Sequence, residues 1–218
     1  VETETKQLEE KVVKTKKEDK EIKNVLQPDW TTLKEQNANI IGWLYVPDCE
    51  ISFPVLQAKD NQYYLNHTVN GEYNPRGSIF LDANADAQFK NDNSIVYGHS
   101  VEGGGMFTLL KNYCDEQFFK EHSVFYLLKP EANYKCNVFT FAKTIEDSVF
   151  YTTSFGGSRQ ETIESMKESA TYLNDLVSTE GNFISLSTCD LDYGFDSNHR
   201  FVLTGHLEKT SDDVVLKD

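Results

Sequence analysis

No apolar run in the 218-residue chain approaches the length of a bilayer span, and no signal peptide is visible. Cysteine is scarce: Cys49, Cys114, Cys136 and Cys189 form no CxxC pair and no regular spacing. That excludes a zinc ribbon, and a disulfide scaffold is a poor reading for a chain this long. His67, His122, His199 and His206 show no ligand spacing, and the carboxylates form no calcium loop. No metal and no cofactor is therefore expected. Positive charge is also short, 21 Lys and Arg against 35 Asp and Glu, for a net charge of −14. Such a surface repels phosphate backbones and anionic headgroups, which argues against nucleic acid as a partner. Internal repeats and low-complexity tracts are missing as well.

Aromatic and aliphatic residues are plentiful: hydrophobic content is 39 %, with 14 Phe and 11 Tyr, enough for one domain with a substantial core. Residues 1–24 differ from the rest. They are dense in Lys and Glu and offer little beyond Leu8, Val12, Val13 and Ile22 for burial, which reads as a solvated helix or stalk. A catalytic domain is expected over 25–209, with a tail at 210–218.

Within the domain, Asp29 is placed to cap a helix that sets Trp30, Leu33, Asn37 and Ile40 on one side. Short β-like runs then cover 40–46, 50–57, 77–81, 94–99, 123–129, 134–145, 182–189 and 200–208, separated by turn residues such as Pro47-Asp48. Eight short strands with irregular connections predict a mainly β fold, a closed or nearly closed barrel. Helical patterns interrupt them at 60–67, 106–121 and 159–176. In the last, Ser158 and Glu161 suit a capping box, and Ile163, Met166, Ala170 and Leu173 form an amphipathic face.

Reactive side chains stand where such strands end. Phe183-Ile184-Ser185-Leu186-Ser187-Thr188-Cys189 delivers a thiol, Ile95-Val96-Tyr97-Gly98-His99 an imidazole, and Arg200 opens the final strand. Together these are the parts for cleaving an acyl bond through a covalent thioester. Alternation puts Ser185, Ser187 and Cys189 on one face, opposite Ile184, Leu186 and Thr188. Two small hydroxyl residues beside the thiol would leave room for a peptide. Each residue alone also suits a structural role: Cys189 in a core, His99 in a turn, Arg200 in a surface ion pair. Arg200 and a protonated His99 would lower the thiol pKa, while Asp190 and Asp192 would raise it, and the sequence leaves that balance open. The other three cysteines read as small buried hydrophobes.

Ser187-Thr188-Cys189 closing a strand, Arg200 opening the next and Tyr97-Gly98-His99 upstream resemble the signature of the sortases, Gram-positive surface transpeptidases. Gly42-Trp43-Leu44, Phe53-Pro54-Val55, Asp60-Asn61, Tyr64-Leu65, Gly77-Ser78-Ile79-Phe80-Leu81-Asp82 and the helix ahead of the cysteine strand are similar to class B. The resemblance implies an eight-stranded barrel with an N-terminal helix and a long helix before the cysteine strand. It implies Cys189 as nucleophile, His99 as general acid/base and Arg200 as oxyanion or positioning group, with Asn61, Leu65, Tyr97 and Ser187 lining a peptide groove. It further implies cleavage of a C-terminal sorting motif after Thr and transfer to a peptidoglycan amine at the outer face of the membrane. An N-terminal anchor missing from this chain would make 1–24 a stalk. Two other readings stay open from the residues themselves: a cysteine protease that releases the acyl group to water, and a non-enzymatic barrel acting as a binding module.

Overall fold

The computed structural model describes residues 13–18, 21–194 and 196–217. Eight strands close into a barrel: β3 (Ile40–Val46), β4 (Ile51–Leu56), β5 (Ile79–Leu81), β6 (Asn93–Tyr97), β7 (Val124–Leu128), β8 (Asn133–Ile145), β10 (Phe183–Cys189) and β11 (His199–Thr210). Their order around the barrel is β11-β10-β6-β5-β4-β3-β7-β8, and β8 pairs back to β11 to complete the circle. Closure leaves no long free edge among these strands. Each β-like run of the sequence became one of them.

Alternation along the strands separates three apolar clusters. Inside the barrel lie Leu44, Val55, Ile79, Val96, Phe125, Val138, Ile184, Leu186, Phe201 and Leu203. Outside, Trp43, Leu56 and Phe80 pack under helix α1 (Trp30–Gln36), whose Leu33 is buried. On the opposite flank Phe139, Phe183 and Val202 pack under α3 (Arg159–Ser169) through Ile163 and Met166. A short α2 (Glu116–Glu121) follows the 3-10 turn Thr108–Cys114. Asp29 caps α1 as expected, its Oδ1 accepting from the Thr31 and Thr32 amides at 3.1 and 3.2 Å.

Four expectations are corrected. The paired strands β1 (Val13–Glu18) and β2 (Glu21–Leu26) stand where a solvated helix or stalk was expected; the rest of 1–24 lies outside the described residues. The segment expected as a C-terminal tail packs against the domain: Val214 is buried, and the Leu26 amide donates to its carbonyl at 2.8 Å. The 159–176 helix stops at Ser169, because the chain turns into β9 (Tyr172–Leu173), which pairs with β8. Thr171 and Asn174 amides then donate to the Phe141 and Phe139 carbonyls, a sheet bond replacing further helical turns. The capping box does not form either: Ser158 makes no side-chain cap, and its carbonyl accepts from the Thr162 hydroxyl at 3.1 Å.

Candidate active site

Four neighbouring strand ends build one rim of the barrel. Strand β6 runs parallel to β10 with Tyr97 beside Ser187, and the Gly98 amide donates to the Ser187 carbonyl at 3.1 Å. His99 follows directly, level with Cys189 at the end of β10. Antiparallel pairing sets Arg200 opposite Cys189, and Thr144 of β8 opposite Arg200. Glu146 lies just beyond. Gly98 is required by the packing beneath: a Cβ there would sit 2.4 Å from Ile79 Cδ1 and 2.7 Å from the Phe107 ring.

Every site residue expected from the sequence lines a single cavity of about 450 Å³: Cys189, His99 and Arg200 together with Asn61, Leu65, Tyr97 and Ser187. Hydrogen bonds hold these groups. His99 Nε2 lies 2.8 Å from the Leu65 carbonyl oxygen. A carbonyl only accepts, so Nε2 carries the proton and Nδ1 is the acceptor of the neutral ring. Asp82 Oδ2 accepts from Asn61 Nδ2 at 2.7 Å and from the Tyr97 hydroxyl at 3.3 Å, while Asn61 Oδ1 takes the Ala83 amide at 2.7 Å. Burial, then the Asp82 charge, pushes the Tyr97 phenol well above its usual range, so it remains a donor.

Arg200 Nη1 donates to the Ser197 and His199 carbonyls, both at 2.8 Å, and Nη2 donates to Glu146. Nε and the second Nη2 hydrogen make none of these bonds. The guanidinium is thus fixed in plane beside the thiol. Burial raises the Cys189 pKa, Arg200 lowers it, and Glu146 raises it again. Burial is the largest of the three, and the net shift is upward, away from the thiolate. The carboxylate that raises it is Glu146, a residue the sequence did not single out.

Sequence reasoning missed Tyr151 and Glu146, both of which line the cavity. The Tyr151 hydroxyl lies 2.7 Å from Ser187 Oγ, and burial pushes its pKa up to about 12. No periodicity marks either residue; only the return of β8 beside β11 brings them to the thiol. One further correction concerns Ser185. It is fully buried, bonded to Asn93 Oδ1 and Thr204 Oγ1 at 2.9 Å each, and leaves no room for a peptide. His199 stacks on Tyr193 at 3.6 Å and does not line this cavity. Cys49 and Cys136 are buried as expected, but Cys114 is only partly so.

Comparison with known proteins places these features among relatives. The sequence profile of the sortase domain matches residues 44–208. Sortase B of Listeria monocytogenes is 34 % identical over 178 residues, which is 80 % of this chain and 72 % of that protein. Sortase B from Bacillus anthracis in complex with AAEK1 superposes with a TM-score of 0.80 at 28 % identity, covering 96 % of each chain. The Staphylococcus aureus sortase B–substrate complex superposes with a TM-score of 0.76 at 29 % identity, covering 84 % of this chain and 85 % of that one.

Proposed function

The chain belongs to the sortase family and is a class B cysteine transpeptidase, and from that premise we propose that it cleaves a C-terminal sorting motif after threonine and transfers the protein to a cell-wall amine. The observation that carries this reading is the single cavity that gathers thiol, imidazole and guanidinium with Asn61, Leu65, Tyr97 and Ser187. Family membership in a transpeptidase class sets aside the binding-module reading.

We assign the roles as the family resemblance implies them. His99 Nδ1 takes the proton from the Cys189 thiol as sulfur attacks the scissile carbonyl carbon. The free Nε and Nη2 hydrogens of Arg200 stabilise the oxyanion. His99 then returns the proton to the departing amine, leaving a thioester on Cys189. Tyr97, Asn61 and the Tyr151–Ser187 pair offer donors and acceptors along the peptide path. The relatives' family works at the Gram-positive cell surface, and we place this chain there too, at the outer face of the membrane. No helix among the described residues is long and apolar enough to cross a membrane.

The test is a library of sorting-type peptides incubated with the enzyme, read by mass spectrometry of products and intact protein. Cleavage after threonine with an acyl adduct on Cys189 is expected, and the adduct should convert to amide when a cell-wall amine is added. Free acid as the sole product across a range of such amines would favour the protease reading.

A further inference from the structure

A cavity of about 510 Å³ lies at the pole of the barrel opposite Cys189. It opens beside Asn182, where β10 begins, and the thiol stands at the far end of that strand, roughly 20 Å away at ordinary strand rise. Its lining gathers Lys129 from the turn between β7 and β8, Lys209 from the end of β11 and Lys90 from the segment before β6. One carboxylate, Glu131, shares that lining. Across the chain acidic residues outnumber basic ones 35 to 21, so three cations against one anion reverse the general balance.

Lys129 is the buried member, its side chain only 2 % exposed. Its Nζ donates to Gln88 Oε1 at 2.6 Å, pairs with Glu131 Oε2 at 3.7 Å and lies 5.4 Å from the centre of the Phe89 ring. Asp86 acts on the ammonium through its charge, while its Oδ1 accepts from the Gln88 amide at 2.7 Å. Burial lowers the Lys129 pKa, Glu131 and Asp86 raise it and Lys90 lowers it, for a net downward shift. The pull of Glu131 is weakened by water, since that side chain is 60 % exposed. A buried ammonium so incompletely offset gains from any further anion that reaches it. Lys90 and Lys209 are exposed, and neither makes an ion pair among the described residues.

We propose that this pole binds a phosphate group, free or at the end of a slender ester. Three ammonium groups from three separate elements act as point charges on a compact oxyanion, whereas a planar carboxylate is matched by the fork of an arginine. Among the described residues no arginine lines the cavity. The ligand has to enter a concavity, and the acidic surface around it repels an extended anionic sheet, so the occupant is a small group rather than a bilayer. Glu131 competes with it for Lys129, and an arriving phosphate displaces that carboxylate. Filling this pole leaves the cavity at Cys189 open, so the site is independent of the chemistry there.

The test titrates the whole chain with inorganic phosphate, and separately with glycerol 3-phosphate, following amide shifts by NMR and heat by calorimetry. Saturable binding at one site is expected, with shifts concentrated at residues 88–90, 129–132 and 207–209. Lys129→Met should weaken it by roughly tenfold or more, the scale of one charge-assisted hydrogen bond. The double variant Lys90→Ser, Lys209→Ser should weaken it to a similar extent. Both of its positions are exposed, so it decides the matter if Lys129→Met fails to fold, and wild-type peptide cleavage at Cys189 should show its fold intact. Glu131→Gln should tighten binding severalfold by removing the competing anion, a gain that a purely structural Lys129–Glu131 pair would not give. Equal affinity for the two probes assigns free phosphate, and tighter binding of glycerol 3-phosphate assigns an ester. No saturable binding of either probe, undiminished binding in the double variant, or no gain in Glu131→Gln overturns the proposal. Lysine-dependent co-sedimentation with phosphatidylglycerol vesicles, without binding of either small probe, overturns it in favour of a membrane surface.

Discussion

On the His99 side of Cys189, polar side chains are tied to one another: Asn61 and Tyr97 to Asp82, Tyr151 to Ser187, Arg200 to Glu146. On the Asp190 side, Lys143 hydrogen-bonds the Cys114 thiol, while Lys111 and Asp192 make no ion pair among the described residues. The first arrangement is preorganised, with rotamers already fixed by partners, which suits a group whose charge must be stabilised in a transition state. The second is bonded more sparsely, with the Lys143–Cys114 contact and the Asp190 carboxylate accepting from the Asp192 amide. One thiol thus borders a densely bonded wall and a more sparsely bonded one.

The sharpest way to break this comparison is to remove what the two sides share. Cys189→Ala should abolish peptide cleavage and acyl-enzyme formation altogether, with the melting transition little changed, because the side chain is small and only partly buried. Undiminished turnover in a folded Cys189→Ala protein would dispose of the assignment of Cys189 as nucleophile. Next in size are the groups fixed on the rigid side. His99→Ala and Arg200→Lys should each lower kcat by roughly a hundredfold or more, as losses of an acid/base or oxyanion donor do. Lysine keeps the charge but not the planar fork that bonds Ser197, His199 and Glu146 at once. A near wild-type Arg200→Lys enzyme would reduce the arginine to general electrostatics.

Tyr151→Phe should cost less. It leaves Ser187 Oγ, which is buried, without its partner at 2.7 Å. An orphaned buried hydroxyl costs about 1–3 kcal/mol, so kcat/KM for an extended peptide should fall roughly tenfold. The alkylation rate of Cys189 by a small reagent should stay the same, since that reagent does not need the groove. Equal losses with peptide and reagent would mean that Tyr151 supports the thiol rather than the peptide.

The contrast between what the sequence disclosed and what it hid follows the same physical line. Strands of the barrel were legible because burial on one or both faces writes an apolar alternation, as in Ile184 and Leu186 against Ser185 and Ser187. The thiol, imidazole and guanidinium were legible because each ends or opens such a strand. Tyr151 and Glu146 were not, since their place depends on how β8 returns beside β11, a pairing that leaves no local signal. Ser185 misled for a related reason: parity gives its face but not the Asn93 and Thr204 hydroxyl network that fills it. The paired strands β1 and β2 were hidden because their partner residues, Lys16 with Lys23 for example, carry no apolar pattern. In α3 the helical spacing continued into 170–173, and only the carbonyls of Phe139 and Phe141 ended it.

The smallest effect tests how the rigid side sets the thiol itself. Burial holds the Cys189 pKa above that of a free thiol, Arg200 pulls it down and Glu146 pushes it back up. The rate of alkylation at Cys189 should therefore rise with pH to a midpoint above that of a free cysteine, because only the thiolate reacts. Glu146→Gln removes a raising charge and releases one Arg200 donor. Both changes favour the thiolate, so the midpoint should move to lower pH. Arg200→Gln removes the lowering charge, and the midpoint should move to higher pH. Since Glu146 and Arg200 bond to each other, the two shifts should not add in the double variant: with Arg200 gone, Glu146→Gln retains only its direct effect on sulfur. Additive shifts would mean that the Glu146–Arg200 bond does not govern how the guanidinium acts on the thiol. A midpoint that stayed put in Glu146→Gln would mean that the rim carboxylate is screened by solvent, as half-exposed charges often are. Burial and Arg200 alone would then set the resting state of Cys189.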